Sequence, residues 1–332
     1  MARGPRAVLL ALAVGLALTG CGTNNEEELV GARSDGETAT ATGNPDDLVV
    51  LEDDQQLQTV DNVVPVVSTS AATEPVRQAL NAVSEALTTE DLIELNRRAD
   101  VERESPANVA QSFAEESGLT DDIEGGGTGS LVVGAANFSE SQILANLYAI
   151  ALEAAGLDPE VKTVTNREVY GPALIRGEIT VFPEYVGTFT EYLNKQRNGP
   201  DAPALASGDL DATVEKLRPL AESFGLTVLE PSPAQDQNAF AVRRDFAEEN
   251  DLRTLSDLAD YEGELVLGGP PECPTRPFCQ PGLEETYGIE FDGFVSLDAG
   301  GPLTKTALKQ GRIQVGLVFS SDGSLSTLEE QQ

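Results

Sequence analysis

Across residues 131–318, short apolar runs alternate with amphipathic stretches, which predicts an α/β chain with largely parallel sheets. Strands are read at Leu131–Gly134, Val161–Thr165, Ile179–Phe182, Leu226–Leu229, Ala239–Val242, Leu265–Leu267, Phe294–Leu297 and Ile313–Val318, with helices between them. Ser139 and Gln142 predict a capping box for a helix whose apolar face is Ile143, Leu147, Ile150 and Ala154, with Gly156 as its stop. Glu168–Arg176 reads as another helix. Upstream, Leu48–Leu51 and Val63–Val67 are strand-like, and Val76, Leu80, Val83 and Leu87 share one helical face. Thr88 with Asp91 has the form of a capping box. Ser105–Pro106 opens a further helix, with Val109 and Phe113 inside and Gly118 ending it. Between the two blocks, Asp121–Ser130 is acidic, then glycine-rich, and reads as a linker.

The extreme N-terminus follows a different pattern. Arg3 and Arg6 precede an apolar run from Ala7 to Leu18, too short for a comfortable bilayer span and typical of an export signal. It stops at Leu18–Thr19–Gly20–Cys21, which resembles the bacterial lipoprotein processing box. The reading is a signal peptide over 1–20, lipid on Cys21, and a flexible acidic tether over 21–46. The protein is then expected on the extracytoplasmic face of the cell membrane, lipid-anchored.

Length leaves room for two lobes, each with its own core, in 332 residues. Histidine is absent, which removes the commonest general base and the commonest zinc ligand. No nucleophile–base pair or metal set is visible, so neither an enzyme nor a cofactor nor a bound metal is expected. With 56 acidic against 21 basic residues the net charge is −35, which argues against nucleic acid as a partner. Two readings of that charge stand: solubility in a salty habitat, and attraction of a cationic ligand. Cys273 and Cys279 lie in Pro271-Glu-Cys-Pro-Thr-Arg-Pro-Phe-Cys-Gln-Pro281. In an exported chain they suggest a small disulfide loop, the rival being a metal pair.

Several segments together resemble the glycine betaine/choline family of substrate-binding proteins of ABC importers. They are Gly134-Ala-Ala-Asn-Phe-Ser-Glu140, Arg176-Gly-Glu-Ile-Thr-Val-Phe-Pro-Glu-Tyr-Val-Gly-Thr188 and Pro233-Ala-Gln-Asp-Gln-Asn-Ala-Phe-Ala-Val242. Leu267-Gly-Gly-Pro-Pro-Glu272, Leu297-Asp-Ala-Gly-Gly-Pro302, Val50-Leu-Glu-Asp-Asp54 and Asn62-Val-Val-Pro-Val66 join them. The resemblance implies a hinged, two-lobed α/β fold of the type II periplasmic-binding-protein kind. It also implies circular permutation, because similar proteins begin with what stands here at 131 and finish with what stands here at 47–119; the rival is a chimera of two incomplete genes. Lobe one would combine 62–119 with 131–232, and lobe two would combine 47–61 with 233–332. The segment 120–130 would join the old termini.

By the same resemblance, a small quaternary ammonium solute is held between the lobes and passed to an ABC permease and its ATPase. Such a cation cannot donate hydrogen bonds, so aromatic faces hold it. Tyr185 matches a cage tyrosine, the rival being a cap on the lobe interface; Thr188 matches a ligand-touching threonine; and Arg276 is a candidate carboxylate clamp, the rival being a pair with one of the chain's many carboxylates. Asn137 and Phe138 match a cleft-lining loop, and Asn238 and Asp298 stand in cleft motifs. Phe319 and Tyr170 are further candidates. Ala136 stands where the family often carries lysine, and aromatics that other members place near Asn238 and Leu303–Lys305 are missing. Alternative readings are another small polar ligand, such as an amino acid, and a sensory or interaction lipoprotein.

Overall fold

The computed structural model describes residues 47–327. The signal peptide, Cys21, the tether and residues 328–332 lie outside the described residues. The chain starts as β1 (Leu48–Leu51), crosses to a second sheet as β2 (Val63–Ser68), and then forms α1 (Glu74–Ala86), α2 (Thr89–Asp100) and α3 (Pro106–Ser117). There follow β3 (Ser130–Ala135), α4 (Ser139–Ala154), β4 (Asp158–Thr163) and α5 (Arg167–Ile175). Next come β5 (Val181–Tyr185), α6 (Val186–Asn198), α7 (Leu210–Glu222) and β6 (Leu226–Val228). After a second crossing the order is β7 (Asn238–Arg243), α8 (Arg244–Glu249), α9 (Leu255–Ala259), β8 (Val266–Gly269) and α10 (Gln280–Gly282). The described chain closes with β9 (Gly293–Ser296), α11 (Pro302–Lys309), β10 (Val315–Phe319) and β11 (Ser326–Thr327).

These strands make two sheets, β4-β3-β5-β2-β6 in one lobe and β11-β1-β7-β10-β8-β9 in the other. β1 therefore pairs with β7, about 190 residues later, and with β11, about 275 residues later, while its neighbour in sequence, β2, pairs with β5 and β6. Each sheet is covered on both faces. Val63 and Val67 of β2 meet the α1–α4 side, whereas Val64 and Val66 meet the α5–α7 side. In the other lobe, Val49 and Leu51 of β1 point to one core and Leu48 to its opposite. Burial on both faces explains why these strands read as continuous apolar runs.

The sheets are mixed, which corrects the expectation of largely parallel pairing. β3 pairs parallel with β4 and β5, but β2 is antiparallel to both of its neighbours. β7 is likewise antiparallel to β1 and β10. The reason is geometric. A strand that enters a lobe from the cleft must run away from it, so each crossing reverses one strand against its neighbours. β3, β4, β5, β8, β9 and β10 end at the cleft, and the residues at or just after their ends line it.

Helix ends largely follow local chemistry. Thr88 and Asp91 form a capping box, Ser105 accepts from the Asn108 N–H at 3.2 Å, and Gly118 ends α3 at φ +67°. The box read at Ser139 is not formed. Ser139 lies inside the first turn and donates to Asp100 at 2.5 Å, while Ser141 accepts from the Ala136 N–H at 2.8 Å. α4 is also buried more widely than its expected face, through Leu144, Ala145, Tyr148, Ala151 and Leu152, because helices α1–α3 pack around it. In the glycine-rich segment, the N–H groups of Gly126 and Gly127 donate to the Ala155 carbonyl at 3.1 and 2.8 Å.

The two crossings run side by side and are bonded to each other. Val63 N donates to Ala234 O at 3.0 Å, Asp236 N to Asp61 O at 3.1 Å, and the Asn62 amide to Ser232 O at 2.8 Å. α6 starts against this hinge so closely that a Cβ at Gly187 would stand 2.5 Å from the Val60 carbonyl oxygen. Only glycine permits that approach.

Candidate ligand-binding cleft

The sheet ends converge on a cavity of about 270 Å³ between the lobes. From lobe one come the loop after β3 with Asn137 and Phe138, the first turn of α5 with Arg167 and Glu168, and the end of β5 with Tyr185. Lobe two contributes Asn238 at the start of β7, Phe319 at the end of β10, and the loop after β8 with Arg276 and Phe278. The hinge adds Asp61 and Asp236. A disulfide joins Cys273 to Cys279 and closes the loop that carries Thr275, Arg276, Pro277 and Phe278 into the cleft. Such a short ring restricts the loop chiefly by removing conformations from the open chain.

Aromatic side chains dominate the walls. Phe138, Tyr170, Phe182, Tyr185 and Tyr192 line the cavity from lobe one, and Phe278 and Phe319 from lobe two. Tyr170 stacks on Phe182 with ring centroids 3.7 Å apart, and Phe138 stacks on Phe319 across the lobes at 5.6 Å. The Phe138–Phe319 pair also borders a second cavity of about 200 Å³. The absence of aromatics at the positions noted in the sequence therefore does not leave the cleft bare.

Of the residues expected from sequence, Asn137, Phe138, Tyr170, Tyr185, Thr188, Asn238, Arg276 and Phe319 all line the cavity. Asp298 does not. It lies beside the second cavity, and its carboxylate accepts from Leu303 N at 2.9 Å, Thr304 N at 2.9 Å and the Thr304 hydroxyl at 2.7 Å. Those bonds satisfy N–H groups in the first turn of α11 from three residues before its N-cap position, Gly301, so the Asp298 carboxylate is engaged within the protein. Asn238 lines the cleft while its amide donates to the Phe278 carbonyl at 2.9 Å, fixing the disulfide loop. The Thr188 hydroxyl accepts from Arg167 at 3.0 Å.

Below the aromatics lies a layer of buried charge that the sequence reading missed. Arg167 forms a forked pair with Glu184, at 2.7 Å through Nη2 and 3.1 Å through Nε, and both are buried. Burial works against the Arg167 charge, but the Glu184 carboxylate more than restores it and holds the guanidinium ionised. Asp61 accepts from the N–H groups of Gly187 and Thr188 at 2.8 and 2.9 Å. Burial nonetheless pushes its carboxyl up from 3.8 to about 7.

A second network ties both lobes to the hinge. Glu140 accepts from the Tyr185 hydroxyl at 2.5 Å, the Asn96 amide at 2.6 Å and the Ser321 hydroxyl at 2.6 Å. Ser321 N in turn donates to Asp236 at 3.1 Å. Burial raises the carboxyls of both Glu140 and Asp236, and it also keeps the Tyr185 hydroxyl protonated. The Tyr185 ring is thereby oriented at the cavity wall by its own hydroxyl.

Comparison with known proteins places the chain in a family. A family model described as the substrate binding domain of ABC-type glycine betaine transport systems matches residues 36–116 and 129–329. The glycine betaine-binding protein YehZ of Escherichia coli (strain K12) is 30% identical over 209 residues, which cover 59% of this chain and 66% of that protein. The carnitine transport binding protein OpuCC of Listeria monocytogenes is 27% identical over 208 residues, 62% of this chain and 65% of that protein. The chain thus spans just under two thirds of the length of these curated relatives. A solved glycine betaine/carnitine/choline ABC transporter structure aligns at 22% identity with a TM-score of 0.39, over 58% of this chain and 70% of that one. With both of its blocks matched, the chain belongs to the family of substrate-binding domains of ABC-type glycine betaine transport systems.

Proposed function

We propose that this protein captures a small quaternary ammonium solute in the interlobe cleft and delivers it to an ABC permease. The observation that carries the reading is the cleft lining: seven aromatic side chains, with five acidic residues (Asp61, Glu168, Glu191, Asp236, Glu272) against three basic ones (Arg167, Lys195, Arg276). An alkylated ammonium ion has no donors to satisfy and is attracted to ring faces, so this lining suits it. A cavity of about 270 Å³ is of the right order for a molecule that small. The mechanism is lobe closure about the bonded hinge, with the closed form recognised by the permease. Calorimetric titration with glycine betaine, choline and carnitine tests it: at least one binds, and Tyr185→Ala weakens that binding roughly tenfold or more while circular dichroism stays native. Silence from all three ligands rejects the assignment.

We also propose that the chain is circularly permuted through 120–130, and that lipid on Cys21 holds it at the extracytoplasmic face. The bonds from Gly126 and Gly127 to the Ala155 carbonyl support the first idea, because they seat the connecting segment, which lies between the two matched family blocks, against the end of α4 in the second block. One rearranged chain tests both: residues 1–46, then 130–327, a flexible linker of about a dozen residues because β11 and β1 are parallel neighbours, then 47–119. It is expected to bind the same ligand and to fractionate with membranes until Cys21 is replaced by serine. Loss of folding rejects the permutation, and membrane retention of the Cys21→Ser form rejects the anchor.

A further inference from the structure

The resemblance pointed to Arg276 as the clamp for a ligand carboxylate, but its guanidinium already holds two carboxylates of the protein. Glu168, on the first turn of α5 in the opposite lobe, meets Arg276 with both oxygens, at 3.0 and 3.2 Å. Glu272, on the Arg276 side, lies 3.3 Å from the same group. Burial alone would raise the Glu168 carboxyl, but the charge and hydrogen bonds of Arg276 outweigh it and hold it lowered. An incoming carboxylate would therefore find one positive and two negative charges within a few ångströms, and would have to break a bidentate pair to enter. Arg167 is no substitute, since Glu184 and Thr188 occupy it. Lys195 is the remaining basic group of the cavity. An ammonium ion or an uncharged hydroxyl meets no such barrier.

We infer that Glu168 is a specificity-determining residue: by occupying Arg276 across the cleft it selects quaternary ammonium ligands whose other end is an uncharged alcohol, and disfavours those that end in a carboxylate. The inference rests on the reading of the cleft as a quaternary-ammonium site. It is an instance of discrimination by an unfavourable interaction with the rejected ligand. Glu168 acts through Arg276, so the decisive readout is the ratio of two affinities, which a general loss of packing would not move in one direction.

Choline and glycine betaine are a matched pair for the test, titrated into the full-length protein. The wild type is expected to bind choline at least roughly tenfold more tightly than glycine betaine. In E168Q that ratio falls by about tenfold through a gain in glycine betaine affinity, and E168Q in an Arg276→Gln background gives no such gain. Glu168 and Arg276 side chains are 48% and 31% exposed, so neither change threatens the fold. If neither ligand nor carnitine binds the wild type, the quaternary-ammonium reading falls and this inference with it; binding of carnitine alone leaves the reading standing and overturns the role of Glu168. If both bind but glycine betaine is preferred, or E168Q leaves the ratio unmoved, the reading survives and the role of Glu168 is overturned. A glycine betaine affinity that depends on Lys195, seen as its loss in Lys195→Gln, overturns it equally.

Discussion

Arg167→Ala is expected to destabilise the protein by about 3–5 kcal/mol, the usual cost of stripping one partner from a buried ion pair. The size follows from what remains. Glu184 is 0% exposed and takes its charge-assisted bonds from Arg167 at 2.7 and 3.1 Å. Without the guanidinium, a buried carboxylate is left without its charge partner, which destabilises the strand end that carries it. Thr188 loses its 3.0 Å donor in the same change, so the cleft wall shifts as well. Guanidinium unfolding followed by circular dichroism gives the number. The paired replacement Arg167→Met with Glu184→Leu is expected to recover most of it, because a matched apolar pair leaves no buried charge. A cost below about 1 kcal/mol for Arg167→Ala would show that the pair is already hydrated and that the buried layer is not as argued.

That buried layer marks the boundary of what the sequence discloses. Patterns confined to one element are legible: the Thr88–Asp91 box and the Ser105–Pro106 start of α3 reflect interactions within a few residues, and the apolar run Val63–Val67 of β2 discloses burial on both faces. The apolar pattern places the edge strand β4 at Val161–Thr165, but it runs over Asp158–Thr163, because it pairs only with β3 and its solvent-facing residues carry no apolar period. Tertiary constellations are harder. Arg167 looks like an ordinary first-turn residue of a short helix, and only the packing of β5 against it brings Glu184 within reach. Tyr192 reaches the cleft because Gly171 leaves room, a Cβ there standing 2.3 Å from the Tyr192 hydroxyl oxygen. Phe278 is delivered by the disulfide loop. Asp298 is the opposite case. The run Asp298–Ala299–Gly300–Gly301–Pro302 carries a helix-start signal, an acid shortly before a first-turn proline, that a motif-based reading passed over.

Lowering the pH from 8 to 5 is expected to stabilise the folded protein, and Asp61→Asn is expected to remove a large part of that gain. Burial raises the Asp61 carboxyl from 3.8 to about 7, against the opposing pull of the Thr188 and Gly187 N–H groups and of Arg167. A raised carboxyl means that the folded state holds a proton between about pH 4 and 7 that the unfolded chain has released. Stability from this group is therefore fully present below about pH 4 and is lost as pH rises through about 7. The interval from 3.8 to about 7 corresponds to about 4 kcal/mol at 1.36 kcal/mol for each pH unit. Glu140 and Asp236 are raised by burial too and titrate in the same sense, and the net charge of −35 relaxes on acidification. Those contributions persist in the variant, so the informative quantity is its difference from wild type. An asparagine keeps a side-chain oxygen that can accept from Gly187 and Thr188 but never has to ionise. Asp61→Asn should then match the wild type near pH 4–5 and exceed it by about 2–4 kcal/mol at pH 8, measured by urea unfolding at each pH. Parallel stability curves for the two proteins across that range would mean that Asp61 is ionised in the folded state at neutral pH, held there by Arg167 and the α6 amides.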